Sequence, residues 1–361
     1  DLLSPYAWEV QERALRTAYR HWFGESALDE PETSTAVDGL TETPVVRLGI
    51  DGACVAFGPA NLGGLGWRWA KALEVAVPGL RTEVLCLDRA MGGAFPADVS
   101  VAHERASEPS WAGPFGNAAL ERWTHVVVEF GGCMLGPLEG GSVQGQAKIM
   151  RDNGIRVVSI VHEGQRVDPS MIGDADCDAL LVATPELSLE LPDAQWLPVV
   201  VDPEKWSTGA EVFASNGPPV VLYSGDHWPA KAVEAVREEL QPLHDEGLID
   251  LRTADSLSPA TVALADLVIG TMGEGGYTQA MIEALMAGRL VVGNISQEVR
   301  DICPLPLPVL QATTGSLGEV VRAAVADPAS SRARSAAGRE YAMAIHDGRR
   351  SGAVLASSLN L

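Results

Sequence analysis

Apolar residues in this chain gather in short continuous runs rather than in strict alternation, and stretches with helical spacing separate the runs. The first set lies at 45–50, 83–88, 125–129, 156–162 and 179–184; a second follows at 220–224, 249–253, 266–269, 290–293 and 308–310. Strands apolar on both sides belong to parallel sheets covered by helices on both faces. Two such sets predict an α/β chain with two Rossmann-like domains. The joint is expected at 196–203, where Pro198 and Pro203 frame an extended segment. Ligands of open parallel sheets bind beyond the carboxyl ends of the strands. Two domains facing across a cleft are therefore expected, with the chemistry in loops that follow strands.

Ahead of the first set, residues 4–23 read as one helix. Ser4 is its cap, Pro5 lies in its first turn, and Trp8, Leu15, Tyr19, Trp22 and Phe23 form an apolar side. Arg13, Arg16 and Arg20 share a face, which suits packing on the parent protein or, as the alternative, an anionic membrane surface. Residues 24–44 are acidic and poor in apolar side chains, the composition of a linker.

A length of 361 residues suits two domains, and 46% hydrophobic content excludes wholesale disorder. The formal net charge of −22 excludes a polyanionic partner such as nucleic acid, because neutralising phosphates needs clustered Lys and Arg. Cys54, Cys86, Cys133, Cys177 and Cys303 are widely spaced, with no Cys-x-x-Cys pair and no zinc-like cluster with His. They read as buried free thiols, and no metal site is expected. No apolar run reaches the roughly 20 residues needed to span a bilayer, and no signal peptide is visible. A cytoplasmic location is the expectation.

Four stretches carry candidate chemistry. After the first strand, Gly58-Pro59-Ala60-Asn61-Leu62-Gly63-Gly64-Leu65-Gly66 opens a helix. Asn61, Gly63, Gly64 and Gly66 can form an acceptor or diphosphate loop. Their spacing departs from the dinucleotide fingerprint, for which Glu83 and Asp88 are the approximate acidic candidates. His162 ends a strand and can either point into the cleft or cap a turn. Lys231 begins a helix after the loop that carries Gly225, where a point charge can meet a diphosphate or stay solvated. Finally, Glu283 sits among apolar neighbours in Met281-Ile282-Glu283-Ala284-Leu285, after the loop Gly273-Glu274-Gly275-Gly276-Tyr277. An unpaired charge there costs several kcal/mol, so it needs a partner such as ligand hydroxyls. A loop leaving a parallel strand for a helix also gathers N–H groups at a positive dipole end, which suits a phosphate or a polar sugar.

Taken in order, these segments resemble a GT-B glycosyltransferase of the retaining, family-4-like kind found in actinobacteria. The resemblance runs from about residue 45 to the end. It is carried by the loop 61–67, by His162-Glu163-Gly164-Gln165-Arg166-Val167-Asp168-Pro169, by Val182-Ala183-Thr184-Pro185-Glu186-Leu187 and by Trp196-Leu197-Pro198. Glu283-Ala284-Leu285-Met286-Ala287-Gly288-Arg289 and the stretch from Gly338-Arg339-Glu340-Tyr341 to His346-Asp347 complete it. The resemblance implies metal-independent transfer of a sugar from a nucleotide diphosphate donor, without a cofactor, to an unknown acceptor. It implies an acceptor domain at 45–197, a donor domain at 198–340 and a helix at 341–361 that crosses back. Catalytic roles fall to His162, Lys231 and Glu274. Donor contacts fall to Gly225, Lys231, Gly275, Gly276, Tyr277 and Glu283, with Glu283 on the ribose and the loop on sugar hydroxyls. Acceptor pockets would come from loops at 90–114 and 130–145.

Three positions depart from the family pattern. Glu274 and Glu283 enclose eight residues where the family has seven, Asp226 stands where the family has Arg, and Ala232 where it has Gly. Losing that Arg removes a fixed charge from the departing diphosphate. The alternative expectation is a GT-B protein that binds a sugar, nucleotide or partner without turnover. A sugar-nucleotide epimerase on the same fold is a third.

Overall fold

The computed structural model describes residues 52–87, 95–101, 109–129, 134–135, 143–162, 177–207, 211–214, 217–224, 230–254, 257–272 and 276–361. The helix expected at 4–23, the linker and the strand expected at 45–50 lie outside these residues, as do Asp88, Cys133, Gly225, Asp226, Glu274 and Gly275. The chain divides into two compact units. One takes in the described part of Asp1–Ala183 with Leu187–Leu197 and Ser351–Leu361; the other comprises Thr184–Glu186 and Pro198–Arg350.

The first unit begins with β1 (Cys54–Gly58), a 3-10 turn at Leu62–Gly64, α1 (Leu65–Ala76), β2 (Arg81–Cys86) and β3 (Val99–Ser100). It continues through α2 (Pro109–Arg122), β4 (His125–Glu129), α3 (Val143–Asp152), β5 (Arg156–Val161), β6 (Ala179–Val182), α4 (Pro185–Glu190, whose Pro185 and Glu186 belong to the second unit) and β7 (Gln195–Trp196). Its seven strands are parallel, in the order β3-β2-β1-β4-β5-β6-β7. Successive side chains leave a strand on opposite faces. Ala56, Val126 and Val128 enter a core with Phe115, Trp123 and Met150. Helix α1 buries Leu65, Trp69, Ala70, Ala72 and Leu73.

The second unit contains β8 (Val220–Ser224), α5 (Ala230–Asp245), β9 (Asp250–Ala254), α6 (Pro259–Ala263), β10 (Leu267–Ile269), α7 (Gln279–Met286) and β11 (Leu290–Gly293). After these come α8 (Gln297–Ile302), β12 (Leu310–Gln311), α9 (Leu317–Ala326) and α10 (Pro328–His346). Five parallel strands run in the order β12-β11-β10-β8-β9. Val221, Tyr223, Leu267 and Ile269 pack with Val236, Leu240, Leu317 and Val321. Helices α7 and α10 approach closely at Gly338, where a Cβ would sit 2.8 Å from Leu285 Cδ2. The last helix, α11 (Arg349–Leu359), belongs from Ser351 onward to the first unit. There Gly352 lies against the backbone of Ala72, and Arg156 Nε donates to the Ser358 carbonyl at 2.9 Å.

Three corrections concern elements and one the cysteines. Strand β1 at Cys54–Gly58 was not expected, and the strand expected at 45–50 lies outside the described residues. Strands β3 and β7, two residues each, were not expected. The terminal helical stretch is broken at 347–348, where Gly348 has φ 100° and ends α10. Of the described cysteines, all free, Cys54 and Cys86 are buried while Cys177 and Cys303 are half-buried.

Each sheet has one place where the strand order reverses. In the first, β1 connects outward to β2, and β4 returns to its other side; in the second, β8 stands in the same way between β9 and β10. Such a switch point opens a crevice at the carboxyl ends of the two strands.

Candidate functional site

At the first switch point the chain leaves β1 through Asn61, Gly63 and Gly64, with φ of 47°, 59° and 72°. This left-handed path costs Gly nothing and suits Asn better than most side chains. Asn61 is fully buried and holds the turn. Its Oδ1 accepts from the Trp67 N–H at 3.0 Å, satisfying one open donor at the start of α1, and its Nδ2 donates to the Pro96 carbonyl at 2.9 Å. Arg68 folds back, donating from Nη2 to the Gly63 carbonyl at 2.6 Å.

Gly66 is required by a close approach: a Cβ there would fall on Oε1 of Glu129. Glu129 ends β4 with no exposure, and His162, which follows β5, is 4% exposed. His162 Nε2 is 4.0 Å from Glu129 Oε2, and its ring lies 5.7 Å from that of Trp69. Burial pushes the His162 pKa down to about 3, so the imidazole is neutral at physiological pH. The structure thus brings together Asn61, Gly66 and His162 around Glu129, a carboxylate the sequence reading passed over. The available signal was an acid ending an otherwise apolar strand, His125-Val126-Val127-Val128-Glu129.

Glu83, the approximate dinucleotide candidate, is engaged elsewhere. It accepts from Arg122 Nε at 2.8 Å and Nη2 at 2.6 Å, and from Trp123 Nε1 at 3.0 Å. A carboxylate so occupied is not placed to receive ribose hydroxyls.

At the second switch point, β10 leads through Gly270 to Met272, and the described chain resumes at Gly276, two residues before Thr278, the cap of α7. Glu283 lies one turn into this helix and is 9% exposed; Gln279 Nε2 donates to its Oε1 at 2.7 Å. The i, i+4 spacing of Gln279 and Glu283 places them on one helix face. Met281, on the same helix, packs so closely on the ends of β10 and β11 that a Cβ at Gly270 or Gly293 would meet its side chain at 2.5 Å or 2.7 Å. Lys231 is exposed in the first turn of α5, the helix that follows β8.

Gly276 is half-buried, and Tyr277 is 3% exposed with its side chain turned into the unit. The Tyr277 N–H donates to Glu186 Oε1, and its Oη lies 2.9 Å from Tyr341 Oη and 2.7 Å from His346 Nε2. Burial raises the Tyr277 hydroxyl well above its ordinary range and also raises the Glu186 carboxyl. No group of three potential metal ligands occurs among the described residues. Among them, too, no helix is long and apolar enough to cross a membrane.

No family model matches the chain, and no curated protein matches it. Solved structures do. The chain is similar to a glycosyltransferase from Rickettsia africae, with a TM-score of 0.60 at 11% identity over 85% of this chain and 98% of that one. The fold is that of the GT-B glycosyltransferases. Anabaena HepE in complex with UDP and glucose gives a TM-score of 0.55 at 10% identity, over 85% of this chain and 99% of that one. Sucrose-phosphate synthase from Thermosynechococcus elongatus gives 0.53 at 12% identity, over 85% and 98%. Identities this low establish the GT-B fold and no more.

Proposed function

We propose that this protein transfers a sugar from a nucleotide diphosphate sugar to an acceptor, with the donor held by the second unit and the acceptor by the first. The observation that carries this reading is the buried carboxylate of Glu283. It is placed by α7 directly after the switch-point loop of the second sheet, the position from which ribose hydroxyls can be received. The GT-B fold supports it, as does the binding of UDP and glucose by the similar Anabaena HepE.

In the proposed reaction the bond from the sugar's anomeric carbon to the diphosphate oxygen breaks, and a bond to the acceptor oxygen forms. The acceptor's proton leaves with the nucleoside diphosphate. Lys231 lies at the start of the helix that follows β8, and its charge would stabilise the departing diphosphate together with loop N–H groups. The reading includes retention of anomeric configuration and transfer without a metal ion. His162 is buried in this structure, so its proposed role is to shape the acceptor side from beneath, together with Glu129.

Thermal-shift and calorimetric titration with UDP, GDP, ADP, TDP and their sugars, with and without EDTA, tests the donor site. One nucleotide series should raise the melting midpoint in EDTA, and Glu283→Ala should weaken its binding by about tenfold or more while the free protein stays folded. Unchanged donor affinity in Glu283→Ala would remove Glu283 from the site.

A further inference from the structure

A pocket of about 520 Å³ opens at the outer edge of the second sheet, where β11 passes into α8 beside β12 and α10. Arg300 of α8 and Arg334 of α10 both line it, together with Gln297, Gln311 and Leu310. None of its lining residues is acidic, in a chain where Asp and Glu number 48 and Lys and Arg only 26. The pocket is separate from the switch point of this sheet, which lies between β8 and β10, because β11 and β12 stand further out.

Arg300 is half-buried and held by neutral acceptors. Its Nη1 donates to the Leu307 carbonyl at 3.2 Å, and its Nη2 donates to the Val309 carbonyl at 3.2 Å and to Gln311 Oε1 at 2.9 Å. A guanidinium has five N–H donors, so these three bonds leave two open and bring no negative charge. Gln311 is fixed in turn: its Oε1 also accepts from the Ile295 N–H at 3.1 Å, and its Nε2 donates to Asn294 Oδ1 at 2.8 Å. Arg300 is thus oriented before any ligand arrives, which lowers the ordering cost of binding.

Arg334 is exposed and makes no salt bridge or hydrogen bond among the described residues, whereas Arg332, two residues earlier, pairs with Glu211 at 3.4 Å. Burial pushes the Arg300 guanidinium down from its ordinary range, and the neighbouring charge of Arg334 pushes it the same way. Both side chains stay cationic at any working pH. Two like charges therefore share one pocket with no carboxylate lining it, and a doubly charged anion relieves that repulsion.

We infer that this pocket binds a small phosphate monoester with a hydroxyl-bearing body, its phosphate gripped by Arg300 and Arg334. Guanidinium forks match phosphate oxygens, and a phosphate monoester carries close to two negative charges. The amides suit the hydroxyls of the body. Gln297 Nε2 donates to Asp301 at 2.7 Å, leaving its Oε1 to accept, and Gln311 Nε2 keeps one N–H to donate. Leu310 adds an apolar wall. The site stands independently of the donor reading.

The test is calorimetric titration of the full chain, at constant ionic strength, with glucose 6-phosphate, inorganic phosphate and glucose as probes. Glucose 6-phosphate should bind with a Kd below about 1 mM, inorganic phosphate at least about fivefold more weakly, and glucose not measurably. Arg334→Glu changes an exposed, unpaired position, so the protein should stay folded and lose at least about tenfold in affinity for glucose 6-phosphate. Arg300→Gln should weaken binding as well, but it also loosens the Leu307 and Val309 carbonyls, so Arg334→Glu decides. Arg322→Gln, at an exposed arginine paired with Glu246 elsewhere on the unit, should bind as wild type does. Glu283→Ala should also leave this Kd unchanged; weakening there would place the ligand at the switch point and overturn the inference. No binding, equal binding of glucose or inorganic phosphate, or wild-type affinity in Arg334→Glu overturns it too.

Discussion

Gly66 shows how one residue without a side chain sets the chemistry of a site. The Glu129 carboxylate occupies the space a Cβ would take, at the first turn of α1, where the helix dipole favours a negative charge. Gly66→Ala must displace that buried carboxylate and should cost about 1–3 kcal/mol in a urea-unfolding measurement. In a Glu129→Ala background the same substitution should cost less, because the neighbour that remains within reach of the methyl group is Asn61 Oδ1, at 3.2 Å. Equal costs in the two backgrounds would contradict the packing described. At this scale the sequence was informative where chemistry and chain position coincide, as for Glu283, an acid among apolar neighbours. It was mute about Glu129, whose importance comes from β1, β4 and β5 lying side by side, a fact of topology rather than of local pattern. For Tyr277 the chain position was legible, but the direction of its side chain depends on α10, 64 and 69 residues away in sequence.

Among elements, strands were legible where they are central and continuously apolar: β4, β8 and β11 have the bounds the pattern predicts. The two-residue edge strands β3 and β7 carry too little pattern to separate from loops. Helix α10 carried quoted but unassigned residues, and the structure gives two of them a task. His346, near its end, is neutral because burial holds its pKa at about 4 against an ordinary 6.5. In the unfolded chain it takes up a proton below about pH 6.5, and in the folded chain only below about pH 4. Between those values the unfolded state binds more protons, so its contribution to stability falls as pH falls, by up to roughly 1.4 kcal/mol per pH unit. Above pH 6.5 it contributes no pH dependence. Urea midpoints from pH 7 to pH 4 should therefore fall more steeply for wild type than for His346→Gln, whose side chain does not titrate. Parallel curves would show that His346 is not held neutral by the fold.

At the scale of the whole molecule, the described residues form two parallel sheets, each with its own switch point, and their polar residues differ in kind. The first gathers a Gly-rich turn, a buried carboxylate and a neutral imidazole; the second gathers a buried, hydrogen-bonded Tyr277, a buried Glu283 and an exposed Lys231. The two-sheet division was readable because buried parallel strands leave short, continuous apolar runs. What the sheets bind was readable only as a class, since loops carry specificity and their residues obey no period. Asp226 and Ala232 set the sharpest question at this scale, because a fold and a donor site can persist after turnover is lost. That question is settled by following the phosphorus-31 spectrum of a nucleotide sugar that the protein binds, in EDTA, with a panel of sugar and lipid-linked acceptors. The account predicts protein-dependent appearance of nucleoside diphosphate, faster with one acceptor class and slowed by Glu283→Ala. A nucleotide sugar that binds tightly and stays intact with every acceptor would contradict transfer and leave a binding protein on a glycosyltransferase fold.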